Sequence, residues 1–141
     1  MMNDLEMLYN DLIMEHSMNS PYKHPLESCD ISAKGHNPSC GDEITLQMNI
    51  VDGVIEEMAF LGHGCAISQS STSIMIEMLT GKTVKEAKEL IEVFIKMIKR
   101  DITDEDVLEQ LEDAIAFKNI SNMPSRVKCA LLAWNTLKEH I

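Results

Sequence analysis

Glu43-Ile44-Thr45-Leu46-Gln47-Met48-Asn49-Ile50-Val51-Asp52-Gly53 carries the strictest pattern in the chain. Ile44, Leu46, Met48 and Ile50 alternate with Thr45, Gln47 and Asn49, the period of two expected of a half-buried strand. Asp52-Gly53 is the residue pair favoured in a tight hairpin turn. Val54 to Leu61 then reads as a second strand, less cleanly patterned. An antiparallel hairpin returns to the end of the sheet from which it started. Asn37-Pro38-Ser39-Cys40-Gly41-Asp42 precedes the first strand, and Gly62-His63-Gly64-Cys65 follows the second. The hairpin therefore brings Cys40, Asp42 and Cys65 together.

The rest of the chain reads mainly as helices. Residues 4 to 16 place Leu5, Leu8 and Leu12 on one face at helical spacing, with Ile13 flanking. Ser17 to His36 has little periodicity and contains Pro21, Pro25 and Gly35, so it reads as a loop with a short extended piece near Cys29-Asp30-Ile31. A helix from about Ala66 to Leu79 has Ile67, Ser71, Ile74, Met75 and Met78 on its inner face. Its small residues (Ala66, Ser68, Ser70, Ser71, Ser73) allow close approach to the sheet. Cys65 stands at its N-terminus, where the helix dipole favours a thiolate. Gly81 stops this helix. Thr83-Val84-Lys85-Glu86 has the capping-box pattern and opens another, to about Arg100. Thr103 starts a shorter third helix through Asp104, Glu105 and Asp106. Asn119 to Met123 is a linker, and Pro124 suits the first turn of a final helix. On that last helix Val127, Leu131 and Trp134, with Ala130 or Leu137, make the apolar stripe. Cys129 lies off it.

Composition sets the outer limits. A chain of 141 residues with 45% apolar and 25% charged residues is expected to form one globular domain over 1–141. Eleven methionines against few aromatics point to a soft aliphatic core. A net charge of −11 argues against nucleic-acid binding, which needs clustered Lys and Arg. Met1 to His16 lacks the basic region and continuous apolar core of a signal peptide, and no apolar run approaches the roughly 20 residues of a membrane span. The expected location is the cytoplasm, where thiols stay reduced. The four cysteines (Cys29, Cys40, Cys65, Cys129) then point to metal or redox chemistry rather than to disulfides.

Cys40, Asp42, Cys65 and Cys129 supply three thiolates and a carboxylate. Such a set fits tetrahedral zinc, and cysteine-rich shells also hold iron-sulfur clusters. The paired Cys-x-x-Cys knuckles of a zinc ribbon are absent, and a carboxylate is the harder, more replaceable ligand at a soft site. Ionised, this set with a divalent metal carries a charge of about −2, which Arg126 and Lys128 are placed to offset. They are equally suited to an acidic partner. Against this stands the reading of cysteines as small buried apolar residues, which Cys29 fits best. His36 and His63 are alternative donors. The acidic run Asp101 to Asp113 reads as a solvated helix face. Triad, P-loop and dinucleotide signatures are absent.

The three motifs Asn37-Pro38-Ser39-Cys40-Gly41-Asp42, Gly62-His63-Gly64-Cys65-Ala66-Ile67-Ser68 and Arg126-Val127-Lys128-Cys129-Ala130 resemble, in order and over nearly the whole chain, the SufU/IscU family of iron-sulfur cluster assembly proteins. The N-terminal module of NifU is similar. Two features look like the SufU branch: Lys128 stands where IscU-type scaffolds carry a histidine, and the helix pair between Gly81 and Asp113 looks like the SufU insertion. His16 departs from the family in being followed by Ser17, with Tyr22 and Pro25 coming later. The resemblance implies an α+β fold, a three-stranded antiparallel sheet covered by helices on one side, and zinc bound by Cys40, Asp42, Cys65 and Cys129. It implies sulfur transfer from a SufS-type, pyridoxal-phosphate cysteine desulfurase, with Cys40 taking the persulfide after a desulfurase histidine displaces it from zinc, and Arg126 implicated in docking. Such a protein is a sulfurtransferase-like relay rather than a stand-alone enzyme. A scaffold that builds an iron-sulfur cluster on the same four residues and passes it to apo iron-sulfur proteins, and a purely structural zinc module, are the alternatives.

Overall fold

The computed structural model describes residues 3–141; Met1 and Met2, part of the stretch read for a leader, lie outside it. The chain runs α1 (Asp4–Met18), β1 (Ile31–Asn37), β2 (Asp42–Val51), β3 (Val54–His63), α2 (Ala66–Leu79), α3 (Val84–Ile98), α4 (Glu105–Leu108) and α5 (Pro124–His140). Two 3-10 stretches, Glu109–Phe117 and Ile120–Asn122, link α4 to α5. The strands form one antiparallel sheet in the order β1-β2-β3.

Alternation in β2 does what the pattern predicts. Ile44, Leu46 and Met48 are fully buried, while Thr45, Gln47 and Asn49 are half-buried on the other face. The helices collect on the Ile44 side, so the fold is α+β with one helical layer. α2 packs on α1 and α5, and α5 lies along β1. Trp134 of α5 stacks on Phe94 of α3 at a ring separation of 3.8 Å. Its indole N–H donates to Ser71 Oγ (2.8 Å), which in turn donates to the Ala130 carbonyl (2.6 Å). One of the small polar residues of α2 thus ties α2 to α5 and satisfies a buried indole that would otherwise be costly. No helix among the described residues is long and apolar enough to cross a membrane.

Three expectations need correction. Residues 31–37 form a full strand rather than a loop with a short extended piece. Their inward positions are Ala33, Gly35 and Asn37, too small or too polar to show a hydrophobic alternation. A side chain at Gly35 would collide with Thr136 and Leu132 of α5, so the bare backbone is what lets α5 lie against β1. Helix α1 exists, but its predicted apolar face is buried only in part: Leu12 and Ile13 are half-buried, with Ile13 packed on the core, whereas Leu5 and Leu8 are 47% and 53% exposed and the buried residue is His16. The third helix is capped by Asp104 rather than Thr103, ends after one turn and continues as 3-10, broken at Glu112 where φ is 50° and ψ is −127°.

The proline-containing segment after α1 is ordered by specific bonds. Phe60 N–H donates to the Tyr22 carbonyl (3.0 Å), and Lys23 makes a parallel bridge to β3. Leu26 N–H donates to the Gln47 side chain (2.8 Å), and Asn49 donates to the Ser28 carbonyl (3.0 Å). The backbone of β3 thus holds Tyr22 and Lys23, and polar side chains on the outer face of β2 hold residues 26–30. The helix boundaries agree with the sequence signals: Cys65 caps α2, the Thr83/Glu86 capping box opens α3, and Pro124 occupies the first turn of α5.

Candidate functional site

Asn37 and Asp42 are the last paired positions of β1 and β2, so the link between these strands is the four-residue turn Pro38-Ser39-Cys40-Gly41. Cys40 closes it by donating its N–H to the Asn37 carbonyl (3.3 Å), and Gly41 takes φ 71°, a conformation that favours glycine. The turn presents Cys40 half-buried at the sheet end. Asp42, two residues on, begins β2 facing inward and is fully buried.

A buried carboxylate needs partners, and Asp42 has them. Its Oδ1 accepts the Cys65 N–H (2.9 Å), and its Oδ2 accepts from Asn37 Nδ2 (3.4 Å). Burial pushes the carboxyl upward, but the hydrogen bond from Cys65, joined by those of Cys129, Ser68 and Asn37, outweighs it and holds Asp42 below the ordinary carboxylate range. Gly64 makes this approach possible: a Cβ there would run into both the Ser68 hydroxyl and the Asp42 carboxylate.

Cys129, one turn and a half into α5, was expected off the apolar stripe and is fully buried, because that face of α5 closes over the end of the sheet. Its Sγ donates to Cys40 Sγ (3.0 Å) and receives Asn37 Nδ2 (3.6 Å). The Cys40 thiol also donates to the Ser125 carbonyl (3.7 Å), and Arg126 Nη1 donates to Cys40 Sγ (3.8 Å). Cys129, Cys65 and Cys40 together raise the Arg126 guanidinium above its usual value, the Cys129 hydrogen bond most. Cys65 stands at the edge of the group. Its N–H engages Asp42 while its Sγ accepts the Ser68 N–H (3.5 Å) as the cap of α2.

The donor atoms of Cys40, Asp42 and Cys129 all lie within 4.8 Å of one another. Burial, then contact with Cys40, Asp42 and Cys65, pushes the Cys129 thiol far above its normal value. Such a set cannot be fully ionised without a cation at its centre. Soft sulfur donors with one oxygen, converging at this range, fit a zinc-type ion, for which metal–sulfur distances are about 2.3 Å. Cys40, Asp42 and Cys129 therefore fit such an ion, while the Cys65 sulfur, expected as a fourth ligand, is not among the donors gathered within this distance.

Of the remaining sequence candidates, Lys128 is exposed and faces a groove between β1 and α5 that also contains Lys34 and His36. His36 and His63 are exposed; His63 lies 3.9 Å from Glu43 and outside the thiol cluster. Cys29 is half-buried and outside the cluster as well. Asn37 was quoted in the motif without a role; its place opposite Asp42 in the strand register is what makes it a donor to two site residues.

A sheet end that gathers thiols and a carboxylate from two turns and a helix N-terminal segment defines a small α+β protein with a sulfur-rich ligand site. The NifU-like N-terminal domain profile matches residues 8–141, and the chain belongs to that family. It is 40% identical over 134 residues to the iron-sulfur cluster assembly scaffold protein IscU of Thermotoga maritima, covering 95% of this chain and 92% of the relative. It is 33% identical over 138 residues to the zinc-dependent sulfurtransferase SufU of Bacillus subtilis, covering 98% and 92%. The FiSufU crystal structure from Fervidobacterium islandicum AW-1, described as a candidate assembly scaffold for the SUF system, superposes with a TM-score of 0.86 at 40% identity, covering 95% and 96%.

Proposed function

We propose that this chain relays sulfur in iron-sulfur cluster biogenesis, with Cys40 as the acceptor for a SufS-type cysteine desulfurase and Asp42, Cys65 and Cys129 as retained ligands of zinc. One observation carries the assignment of roles. Cys40 is a half-buried thiol on a short turn, whereas Asp42 and Cys129 are fully buried and held from several sides. The sulfurtransferase name of the Bacillus subtilis relative supports the reading. So do Lys128 and the α3–α4 segment, which resemble the SufU branch.

Bound zinc would keep the thiols ionised and shielded from oxidation until a donor arrives. Arg126, 3.8 Å from Cys40 Sγ, supplies positive charge to the Cys40 thiolate. That thiolate attacks the outer sulfur of the donor's persulfide. The donor's S–S bond breaks, its electron pair leaves with the donor cysteine as thiolate, and a persulfide forms on Cys40. Asp42 and Cys129 stay in place, because their backbones belong to a strand and a helix. Arg126 and Lys128 form the basic rim on which the donor docks, before sulfur passes to later assembly factors or apo iron-sulfur proteins. The protein works where thiols are reduced, in the cytoplasm.

Incubation with a SufS-type desulfurase and free cysteine, followed by mass spectrometry, tests the assignment. One added sulfur atom on a Cys40 peptide supports it; sulfur found only on Cys65, Cys129 or Cys29 contradicts it. The scaffold reading has its own support in the name of the Thermotoga maritima relative. It predicts a visible-absorbing cluster on the same donors that is passed to an apo-acceptor, in place of colourless stoichiometric zinc.

A further inference from the structure

His16 is the buried residue of α1, 9% exposed, on a helix where Leu5 and Leu8 face solvent. Its Nδ1 lies 2.8 Å from Ser73 Oγ on α2, and Ser73 Oγ lies 2.7 Å from Ser20 Oγ, which accepts the Tyr22 N–H (3.2 Å). Ser73 Oγ is placed to accept from His16 in its Nδ1–H tautomer, which would leave the ring lone pair on Nε2. The Nε2 atom faces Glu77 Oε2 at 3.6 Å. A carboxylate oxygen of Asp113 joins them, and the three atoms lie within 4.8 Å of one another. Asp113 follows the backbone break at Glu112. Beside the cluster is an open cavity of about 210 Å³ lined by Ile74, Glu77, Met78, Glu112 and Asp113.

The geometry points to a second ligand site, for a divalent first-row transition metal, formed by His16, Glu77 and Asp113. A neutral imidazole and two carboxylates carry two negative charges, matched to a divalent ion. Nitrogen and oxygen donors of this kind take Mn²⁺, Fe²⁺, Co²⁺ or Zn²⁺, in contrast to the sulfur-rich set at the sheet end. Metal-ligating histidines characteristically donate their other ring N–H to an oxygen, the position that Ser73 Oγ occupies beside His16 Nδ1. The cavity leaves room for water to complete the shell. Each ligand comes from a different element, so the ion would also tie α1, α2 and the 3-10 stretch together. Ser73 is eight residues beyond Cys65, which places this site roughly 12 Å along α2 from its cap. The inference is independent of the sulfur-transfer reading.

Mn²⁺ is the probe, because it prefers oxygen and nitrogen and leaves the thiolate end alone. Titration of the full-length protein, followed by the electron paramagnetic resonance signal of free Mn²⁺, is expected to show one ion bound at this site. Substoichiometric Mn²⁺ should broaden the amide resonances of His16, Ile74 and Asp113 and spare those of Cys40 and Cys129. His16→Gln and Glu77→Gln should each weaken binding at least about tenfold. Glu77 is half exposed, so E77Q keeps the test valid if H16Q disturbs folding. Asp106→Asn, an exposed carboxylate elsewhere, should change nothing. Absence of binding, binding unaltered in E77Q, or broadening centred on Asp104 to Asp106 would overturn the proposal and leave His16–Glu77 as an ion pair only.

Discussion

Cys40 and Cys129 have sulfur atoms 3.0 Å apart, yet they live in opposite surroundings. Cys40 rides on a four-residue turn that contains Gly41, and its other side-chain contacts are long: 3.7 Å to a carbonyl and 3.8 Å to Arg126. Cys129 sits on α5, with no exposed surface, on a helix clamped by the Trp134–Phe94 stack and by Ser71. The same thiol chemistry is placed once on a short glycine-containing turn and once inside a packed helix. On the proposed relay, this difference is what would let one ligand leave while the others stay.

The clamp on α5 is the first place to press on this contrast. Trp134→Ala should cost about 3–5 kcal/mol, as expected for removal of a fully buried large aromatic. Denaturant unfolding measures it, and metal retention should fall in parallel because Cys129 loses its fixed place. Asp42→Ala should come next. It leaves the part-buried Cys65 N–H without its acceptor, at about 1–3 kcal/mol, and it should release metal to a chelator far faster than the parent protein does.

A pH series sharpens the role of Asp42 further. Its carboxyl is held below the ordinary range in the folded, metal-free protein. The stabilisation is therefore fully present above the unfolded value of about 4 and is lost as pH falls through the lower folded value. Thermal melts of the metal-free protein should show an acid-side loss of stability that Asp42→Asn lacks in part. The smallest effect belongs to the turn. Cys40→Ala should change the stability of the metal-free protein by no more than about 0.5 kcal/mol, since a half-exposed residue with long contacts contributes little. A loss comparable to that of Asp42→Ala would erase the distinction between the cysteine on the turn and the one in the helix.

Much of this site was legible in the sequence for a local reason. Strict alternation in Ile44 to Ile50 and the Asp52-Gly53 turn specify a hairpin, and a hairpin alone brings Cys40, Asp42 and Cys65 to one end. The capping position of Cys65 follows from the glycine-rich turn before a helix. Cys129 was placed by its helix, but its burial was not seen, because burial there depends on how α5 crosses the sheet. Strand β1 was hidden since Ala33, Gly35 and Asn37 fill its inner face without any hydrophobic period. Leu5 and Leu8 of α1 misled for the converse reason: they show helical spacing, while the helix turns His16 inward to meet Ser73. His16, Glu77 and Asp113 come from three elements far apart in sequence, so only the packed fold puts them together.

Desulfurase turnover with and without this protein tests the central claim most directly. A SufS-type enzyme given free cysteine should release alanine markedly faster when the metal-loaded wild-type chain is present. Cys40→Ala, still folded, should provide no stimulation. Full stimulation by Cys40→Ala would contradict the account, since sulfur would then be leaving the enzyme by another route.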